Sequence, residues 1–248
     1  MHFTYTKSIL ALSLLAATSI AQAATETSEY FTDVAGSAST DGFNQLIASR
    51  LGSGATGIAA VTTGVASNAP AGDAVLTRTS GTAYPAGFGL YEWQGPYSTF
   101  TISDETLISD LGSIVFQSHV NPGGNYELGG AGGIDAAISE VFLSFNGGNQ
   151  LLAATSFSLT NAIDNPGSPF YNPDSPILEA AIGYFTWDLS GISDPITSYS
   201  ISFGTHAHSS IIAFQVDQIA AAVPEPSAYA LMLGGLALVG FAARRKKA

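Results

Sequence analysis

Apolar and small polar residues alternate one by one in several short segments of this chain. The clearest is Tyr199-Ser200-Ile201-Ser202-Phe203, and Ser156-Phe157-Ser158-Leu159-Thr160 has the same pattern. Strict alternation places the apolar side chains on one face of a β-strand and the polar side chains on the other. The pattern therefore predicts strands of a sheet that has one buried face, and it disfavours long helices over these segments.

Further strands are predicted where similar alternation recurs. They are the segments 73–79, 88–93, 99–103 and 113–120, together with those at 141–145, 185–189 and 212–216. In the last segment Ile212, Phe214 and Val216 point one way, while Gln215 and Asp217 point the other. Turn sequences separate the segments, and Asn146-Gly147-Gly148 predicts a tight hairpin.

One mainly β domain is predicted between residues 24 and 222, because no Pro-rich or charged linker divides this region. Eight or more short strands with Gly-rich connections favour an antiparallel β-sandwich of jelly-roll type. A single short helix is predicted from Asp41 to Leu51, with Asp41 as its N-cap and Gly52 after its end. Six alternating side chains are expected in one shared core, namely Phe157, Leu159, Ile201, Phe203, Phe214 and Val216.

The chain is acidic, with Asp+Glu 19 against Lys+Arg 7 and a formal net charge of −12 at pH 7. Only Arg50 and Arg78 are basic between residues 24 and 222. A body of this charge repels phosphate backbones, so no nucleic-acid partner is expected. The sequence has no cysteine, which excludes disulfides, thiolate catalysis and cysteine-based metal sites.

Residues 1–23 have the organisation of a secretory signal peptide. Lys7 precedes an apolar run from Ile9 to Ala17, and Ala21-Gln22-Ala23 forms a small-residue cleavage site. The predicted mature N-terminus is Ala24. The apolar run forms a signal helix that is too short to span a bilayer, which takes roughly 20 residues.

The C-terminus has three parts in a fixed order. Val223-Pro224-Glu225-Pro226 is followed by an uncharged apolar stretch at 228–243 and then by Arg244-Arg245-Lys246-Lys247. A helix that rises about 1.5 Å per residue over this stretch only just covers a hydrocarbon core of about 30 Å. The basic cluster acts as a stop signal and is expected to stay in the cytoplasm, with the acidic body outside. We therefore predict a transmembrane helix over residues 228–243.

This order of parts at residues 223–248 resembles the PEP-CTERM sorting signal of Gram-negative bacteria, which is also catalogued as the ice-binding protein C-terminal domain. The resemblance implies that an exosortase, a membrane Cys protease-transpeptidase, processes the Pro224-Glu225-Pro226 segment. It implies a precursor anchored in the inner membrane and a product at the cell surface or outside the cell. It also implies a setting of exopolysaccharide and biofilm matrix. The body is not assigned to a family.

Two groups of residues have the side chains of metal ligands. His206 and His208 would share one strand face, a spacing that zinc and iron sites use, with His119 as the only other imidazole of the body. Asp164 and Asp174 lie in one Pro-broken loop and offer the oxygen ligands that calcium prefers. Side chains in solvent, without a metal, are the favoured interpretation of both groups. No cofactor is therefore predicted, with calcium as the alternative.

Tyr91 and Trp93 place two large rings on one strand face, and Tyr97 follows shortly after. Exposed aromatic rings stack on sugars in many secreted binding modules. Strands also place aromatic residues in the core, and the sequence favours that placement.

The sequence shows no recognisable catalytic constellation. It has no nucleophile-elbow motif, and Asp104, Glu105 and Asp110 do not alternate along one strand as a glycosidase pair could. We predict a non-enzymatic, exported protein of the cell envelope or extracellular matrix. The alternatives are a polysaccharide-binding module that uses Tyr91 and Trp93, and an envelope glycoside hydrolase.

Overall fold

The computed structural model describes residues 31, 34–93, 98–121, 138–161, 181–205, 207–222 and 232–237. Strands dominate these ranges, and two helices lie close together near residues 48–63. In chain order the elements are β1 (Ser37–Phe43), α1 (Ala48–Leu51), α2 (Gly54–Thr63), β2 (Val65–Ala66), β3 (Val75–Ser80), β4 (Tyr84–Pro85), β5 (Leu90–Tyr91), β6 (Ser98–Asp104), β7 (Leu111–Asn121), β8 (Ile138–Phe145), β9 (Leu152–Ala153), β10 (Ser156–Asn161), β11 (Ala181–Asp188), β12 (Tyr199–Thr205) and β13 (Ser210–Ala220).

The strands form two antiparallel sheets. The seven-stranded sheet has the order β10-β11-β7-β13-β5-β4, and β1 also pairs with β13. The six-stranded sheet has the order β2-β3-β6-β12-β8-β9. The mainly β, antiparallel fold that the alternation predicted is confirmed, and its jelly-roll connectivity stays a prediction.

Aromatic rings from both sheets meet in one core. The ring centroid of Phe203 on β12 lies 5.4 Å from that of Phe116 on β7 and 4.8 Å from that of Phe214 on β13. Ile201 and Val216 are fully buried in the same cluster. The predicted core positions on β12 and β13 are therefore confirmed, since alternation there follows the single buried face of each sheet.

The prediction for Phe157 is wrong, because its side chain is 43% exposed. β10 is an edge strand of the seven-stranded sheet and pairs with β11 alone among the described strands. The Phe157 ring consequently packs sideways on Phe185 across the ladder, with the centroids 4.7 Å apart. The side chain of Leu159 lies outside the described residues.

A register shift in β13 changes which side chains enter the core. The ladder between β13 and β7 is irregular between Ile211 and Ala213. As a result Ile211, rather than the predicted Ile212, joins Phe214 and Val216 in the core cluster. An extra residue of this kind reverses the alternation on one side of the bulge, and the apolar pattern alone does not reveal it.

The predicted helix from Asp41 to Leu51 is wrong over its first half. Asp41 belongs to β1, where it lies opposite Val216 and is followed by the fully buried Phe43. The ladder to β13 satisfies the backbone of this segment, so only Ala48–Leu51 is helical. The predicted end is confirmed, because Gly52 has φ 91° and donates its N–H to the carbonyl of Ala48.

The predicted hairpin at Asn146-Gly147-Gly148 is confirmed and joins β8 to β9. Asn146 has φ 53° and Gly147 has φ 64°, so both adopt the left-handed backbone of a tight turn, which lies within the six-residue connection between Phe145 and Leu152. Gly148 closes the turn by donating its N–H to the carbonyl of Phe145 at 2.9 Å.

Six residues of the predicted transmembrane stretch, 232–237, are helical and exposed. Within the described part of the chain, no helix has the length and apolarity that crossing a membrane requires. The rest of the 228–243 stretch and the predicted signal peptide lie outside the described residues.

Candidate functional site

Three carboxylates converge at one end of the sandwich interior. Asp41 comes from β1 in the seven-stranded sheet, Asp104 is the last residue of β6 in the six-stranded sheet, and Asp73 lies in the loop before β3. Their ligand oxygens all lie within 4.8 Å of one another. We call these three residues the acidic cluster. Asp41 and Asp104 are buried and Asp73 is exposed.

Neighbouring donors hold the two buried carboxylates in place. Asp41 Oδ1 accepts the backbone N–H of Ala74 at 2.9 Å. Asp104 Oδ1 accepts the N–H of Thr106 at 2.7 Å, and its Oδ2 accepts the side-chain amide of Gln218 at 2.6 Å. Each carboxylate offers about four lone-pair sites, so both keep acceptor capacity toward the centre of the cluster.

Gly72 allows the loop of Asp73 to approach β1 closely. A Cβ at this position would lie 2.5 Å from Asp41 Oδ1 and 2.8 Å from the carbonyl oxygen of Thr40. Such distances exclude any larger residue unless the backbone moves. The absence of a side chain at Gly72 therefore helps to bring Asp73 to the other two carboxylates.

Burial makes the acidic cluster electrostatically unfavourable. Burial raises the pKa of Asp104 to about 6, and the charges of Asp41 and Asp73 also raise it. Burial likewise raises the pKa of Asp41, and the charge of Asp73 adds to this effect. These carboxylates retain protons at a pH where exposed acids have lost them.

The only two bases of the body contact other groups. Arg50 donates to the carbonyl of Ala66 and to Asn68. Arg78 donates to the carbonyl of Ala83 and to the hydroxyl of Thr62 at 3.1 Å. Since residues 24–222 contain no other Lys or Arg, this region has no further lysine or arginine side chain that could neutralise the acidic cluster.

Tyr199 directs its hydroxyl toward the acidic cluster. It lies opposite Asp104 in the β6–β12 ladder and is 2% exposed. Burial raises its pKa well above the ordinary value, and the charges of Asp104 and Asp41 act in the same direction. Among the described residues, no group meets this hydroxyl with hydrogen-bonding geometry.

A groove of about 300 Å³ leads to this end of the sandwich. Asp104, Glu105 and Tyr199 line it together with small residues of the β8–β9 hairpin, Gly147 and Gly148 among them. The small side chains keep this groove open beside Asp104 and Tyr199.

Asp217 is a buried acid of a different kind, on the other face of the seven-stranded sheet. Its Oδ1 accepts the hydroxyls of Ser37 at 2.8 Å and Thr40 at 2.7 Å, and its Oδ2 accepts the amide of Gln215 at 3.0 Å. Burial raises its pKa, while these hydrogen bonds lower it. The hydrogen bonds from Ser37 and Thr40 in β1 to Asp217 in β13 thus link the two strands.

Aromatic rings form an exposed patch on the edge of the seven-stranded sheet. Trp93 is 56% exposed, and its ring centroid lies 6.0 Å from those of Tyr91 and His208. Tyr84 packs edge-on against Tyr91 at 6.2 Å. We call Tyr84, Tyr91, Trp93 and His208 the aromatic patch. The favoured prediction of a core position is therefore wrong for Trp93, and Tyr97 lies outside the described residues.

Glu92 explains why the two rings face outward. Its fully buried carboxylate accepts the hydroxyls of Thr82 and Ser98. Its backbone accepts the N–H of His208 at 2.6 Å and donates to the carbonyl of Ser209 at 3.0 Å. Because neighbouring side chains of an extended segment point to opposite sides, an inward Glu92 turns Tyr91 and Trp93 outward.

Of the predicted histidine and acidic metal ligands, only His208 lies among the described residues, so the metal sites stay predictions. His208 occupies the β12–β13 turn with φ 66°, and its Nδ1 lies 3.4 Å from the hydroxyl of Tyr91. His119 is buried on β7, where burial lowers its pKa to about 4. His206, Asp164 and Asp174 lie outside the described residues. So do the cleavage site at Ala21, Ala23 and Ala24, the motif Val223, Pro224, Glu225 and Pro226, and the basic residues Arg244, Arg245, Lys246 and Lys247.

Comparison with known proteins assigns the tail. A family model described as the PEP-CTERM protein-sorting motif matches residues 222–246. No curated protein and no solved structure matches the chain. The chain thus carries the sorting signal that its Pro-Glu-Pro, apolar and basic segments predicted, and this signal implies export and processing by an exosortase. The body has no family assignment.

Proposed function

We propose that this protein is a non-enzymatic component of the cell envelope or extracellular matrix in an exopolysaccharide setting. The PEP-CTERM motif at 222–246 is the observation that carries the proposal. An exosortase-type transpeptidase is the sorting partner. The signal peptide ends at Ala23, and residues 228–243 hold the precursor in the inner membrane until the Pro-Glu-Pro segment is processed. The body is one sandwich of jelly-roll type.

The surroundings of the buried carboxylates support a body without hydrolase activity. A glycosidase needs two carboxyl groups that reach opposite sides of a glycosidic bond. Asp41 and Asp104 are 1% and 2% exposed, and backbone and amide donors already hold their oxygens. A sugar chain therefore has no access to the pair.

Fractionation of the native host tests the sorting step. Glu225→Ala removes the charge of the recognition segment, and Arg244→Ser with Arg245→Ser weakens the stop signal without changing that segment. We expect unprocessed precursor in the inner membrane for both variants and in a host without the exosortase. Glu105→Ala, at an exposed acid of the body, is the matched control and should mature normally.

Two outcomes count against this proposal. Normal maturation of the Glu225→Ala variant on an immunoblot would show that the tail is an ordinary anchor. The mass of the mature protein should place its N-terminus at Ala24, and retention of Met1 on surface-located protein would contradict export through a cleaved signal peptide.

Polysaccharide binding is a second candidate function, which the exposure of Trp93 favours. Its face is open to solvent beside polar groups on Tyr91 and His208, an arrangement that can stack on one sugar ring and bond its hydroxyls. The rings are steeply inclined to one another, from 55° to 88°, so they offer no flat surface to a crystalline polymer. A single soluble chain fits this corner better.

Affinity electrophoresis in the host's own exopolysaccharide tests this second function. Trp93→Ala should weaken retardation by roughly threefold to tenfold, the range expected for one lost stacking contact. Leu151→Ala is the control, because Leu151 is 68% exposed and lies outside the aromatic patch. Equal retardation of both variants and the wild type would rule out the patch as a sugar site.

A further inference from the structure

We propose that the acidic cluster of Asp41, Asp73 and Asp104 binds a calcium ion that joins the two sheets at one end of the sandwich. The site is distinct from the loop of Asp164 and Asp174 and is independent of the sorting signal. The inference depends on the cluster's geometry, on its uncompensated charge and on the buried hydroxyl of Tyr199.

The spacing of the three carboxylates fits one cation. Their ligand oxygens lie within 4.8 Å of one another. Calcium binds oxygens at about 2.3–2.6 Å, so two ligands on opposite sides of the same ion are about 5 Å apart. Each of the three side chains can therefore contribute an oxygen without a large movement.

The donors around the cluster orient the carboxylates, as groups that hydrogen-bond to metal ligands do in metal sites. Ala74 fixes one oxygen of Asp41, while Thr106 and Gln218 fix the two oxygens of Asp104. Hydrogen bonds of this kind set the direction of the remaining lone pairs before the ion arrives. The Gly72 contact that brings Asp73 to the cluster is part of the same arrangement.

The negative charge of the acidic cluster favours the binding of a cation from solution. Two of its carboxylates are buried, and the only bases of residues 24–222, Arg50 and Arg78, donate to other groups. Buried charges in proteins are paired or coordinate metals, because an isolated charge loses its hydration. All three ligands supply oxygen, which suits a hard cation rather than zinc or copper.

Tyr199 is a second, independent sign of a missing ligand. Its hydroxyl is enclosed beside the carboxylate of Asp104, and no described group meets it at both the distance and the angle of a hydrogen bond. A buried hydroxyl that has lost its hydrogen bonds to water and gained none in the protein destabilises the folded state. Calcium commonly keeps water in its coordination shell, and a water on the ion would give this hydroxyl its partner. The groove lined by Asp104 and Tyr199 provides the entry path.

The experiment uses the mature protein, first freed of metal with a chelator and then titrated with calcium chloride. Thermal unfolding should shift upward by roughly 5 °C at a calcium concentration about 100 times the dissociation constant. Isothermal titration should give one site. Asp73→Asn should fold normally, because Asp73 is exposed, and should lose the shift. Asp194→Asn, at an exposed acid outside the cluster, should keep it.

Three results would overturn the site. They are no calcium-dependent shift in the wild type, an unchanged shift in Asp73→Asn, or loss of the shift in Asp194→Asn, which would indicate diffuse binding to surface acids. An equal shift with magnesium chloride would overturn the assignment to calcium. Asp41→Asn provides an independent second variant, and it too should lose the response.

Discussion

Tyr199 and Asp104 lie directly opposite each other on neighbouring strands, at the last inward-facing position of the β6–β12 ladder. The preceding inward pairs are Ile201 with Ile102 and Phe203 with Phe100, all buried in the core. The interior thus changes from apolar to polar within one step of the ladder. This change places a carboxylate and a hydroxyl where Asp41 of the opposite sheet can meet them.

Asp41→Asn should stabilise the calcium-free protein at neutral pH. The amide keeps the acceptor that Ala74 needs and removes one charge from the acidic cluster. We expect the free energy of unfolding in chelator to rise by on the order of 1 kcal/mol. Urea unfolding with and without calcium measures the change. A loss of stability in chelator would mean that the three carboxylates do not repel one another.

Phe203→Ala should destabilise the protein by about 3–5 kcal/mol, since its buried ring contacts rings of both sheets and the truncation leaves a cavity. Phe157→Ala is the matched control, because that ring is 43% exposed at a sheet edge. Its loss should be less than half as large. Similar losses in urea unfolding would contradict the assignment of Phe203 to the shared core.

Gly147→Ala should cost about 1 kcal/mol, because Gly147 has φ 64° and an L side chain is strained there. Gly191→Ala isolates the conformational effect. Nothing lies within 4 Å of a Cβ at either position, and Gly191 is not in the left-handed region. The control should be neutral or slightly stabilising by urea unfolding. An equally neutral Gly147→Ala would argue against the left-handed turn.

The free energy of unfolding should fall as the pH is lowered, because the buried His119 side chain resists protonation in the folded state. Burial lowers its pKa to about 4, below the ordinary 6.5, so the unfolded chain binds the proton first as the pH falls. The stabilisation that the neutral His119 side chain gives the folded state is complete above pH 6.5. It is lost as the pH falls toward about 4. Relative to His119→Gln, the wild type should lose up to about 3 kcal/mol over this window.

Urea unfolding of both proteins at several pH values measures this difference. The buried acids Asp41, Asp104 and Asp217, whose raised pKa values act in the opposite direction, are present in both proteins and cancel in the comparison. A difference that does not change with pH would show that His119 is protonated equally in the folded and unfolded states.

The acidic cluster could not be predicted from the sequence, because its members are far apart in the chain and each has an ordinary local explanation. Asp41 resembles a helix N-cap, and Asp104 resembles a polar residue at the start of a turn. The only signal available was the shortage of bases between residues 24 and 222, which predicts unpaired carboxylates without indicating where they meet. The core position that the sequence favoured for Trp93 was also wrong. Alternation alone does not distinguish the inner from the outer face of a segment at a sheet edge.

Local patterns in the sequence determined the β class, the Asn146-Gly147 turn, the core positions on β12 and β13, and the sorting motif at the C-terminus. Each depends on neighbouring residues, through side-chain alternation, turn dihedrals or a contiguous signal. The tertiary structure alone decided the pairing of β1 with β13, the register shift at Ile212 and the meeting of Asp41 with Asp104. These features depend on strands distant in sequence coming together, where burial and ladder hydrogen bonds outweigh local preference.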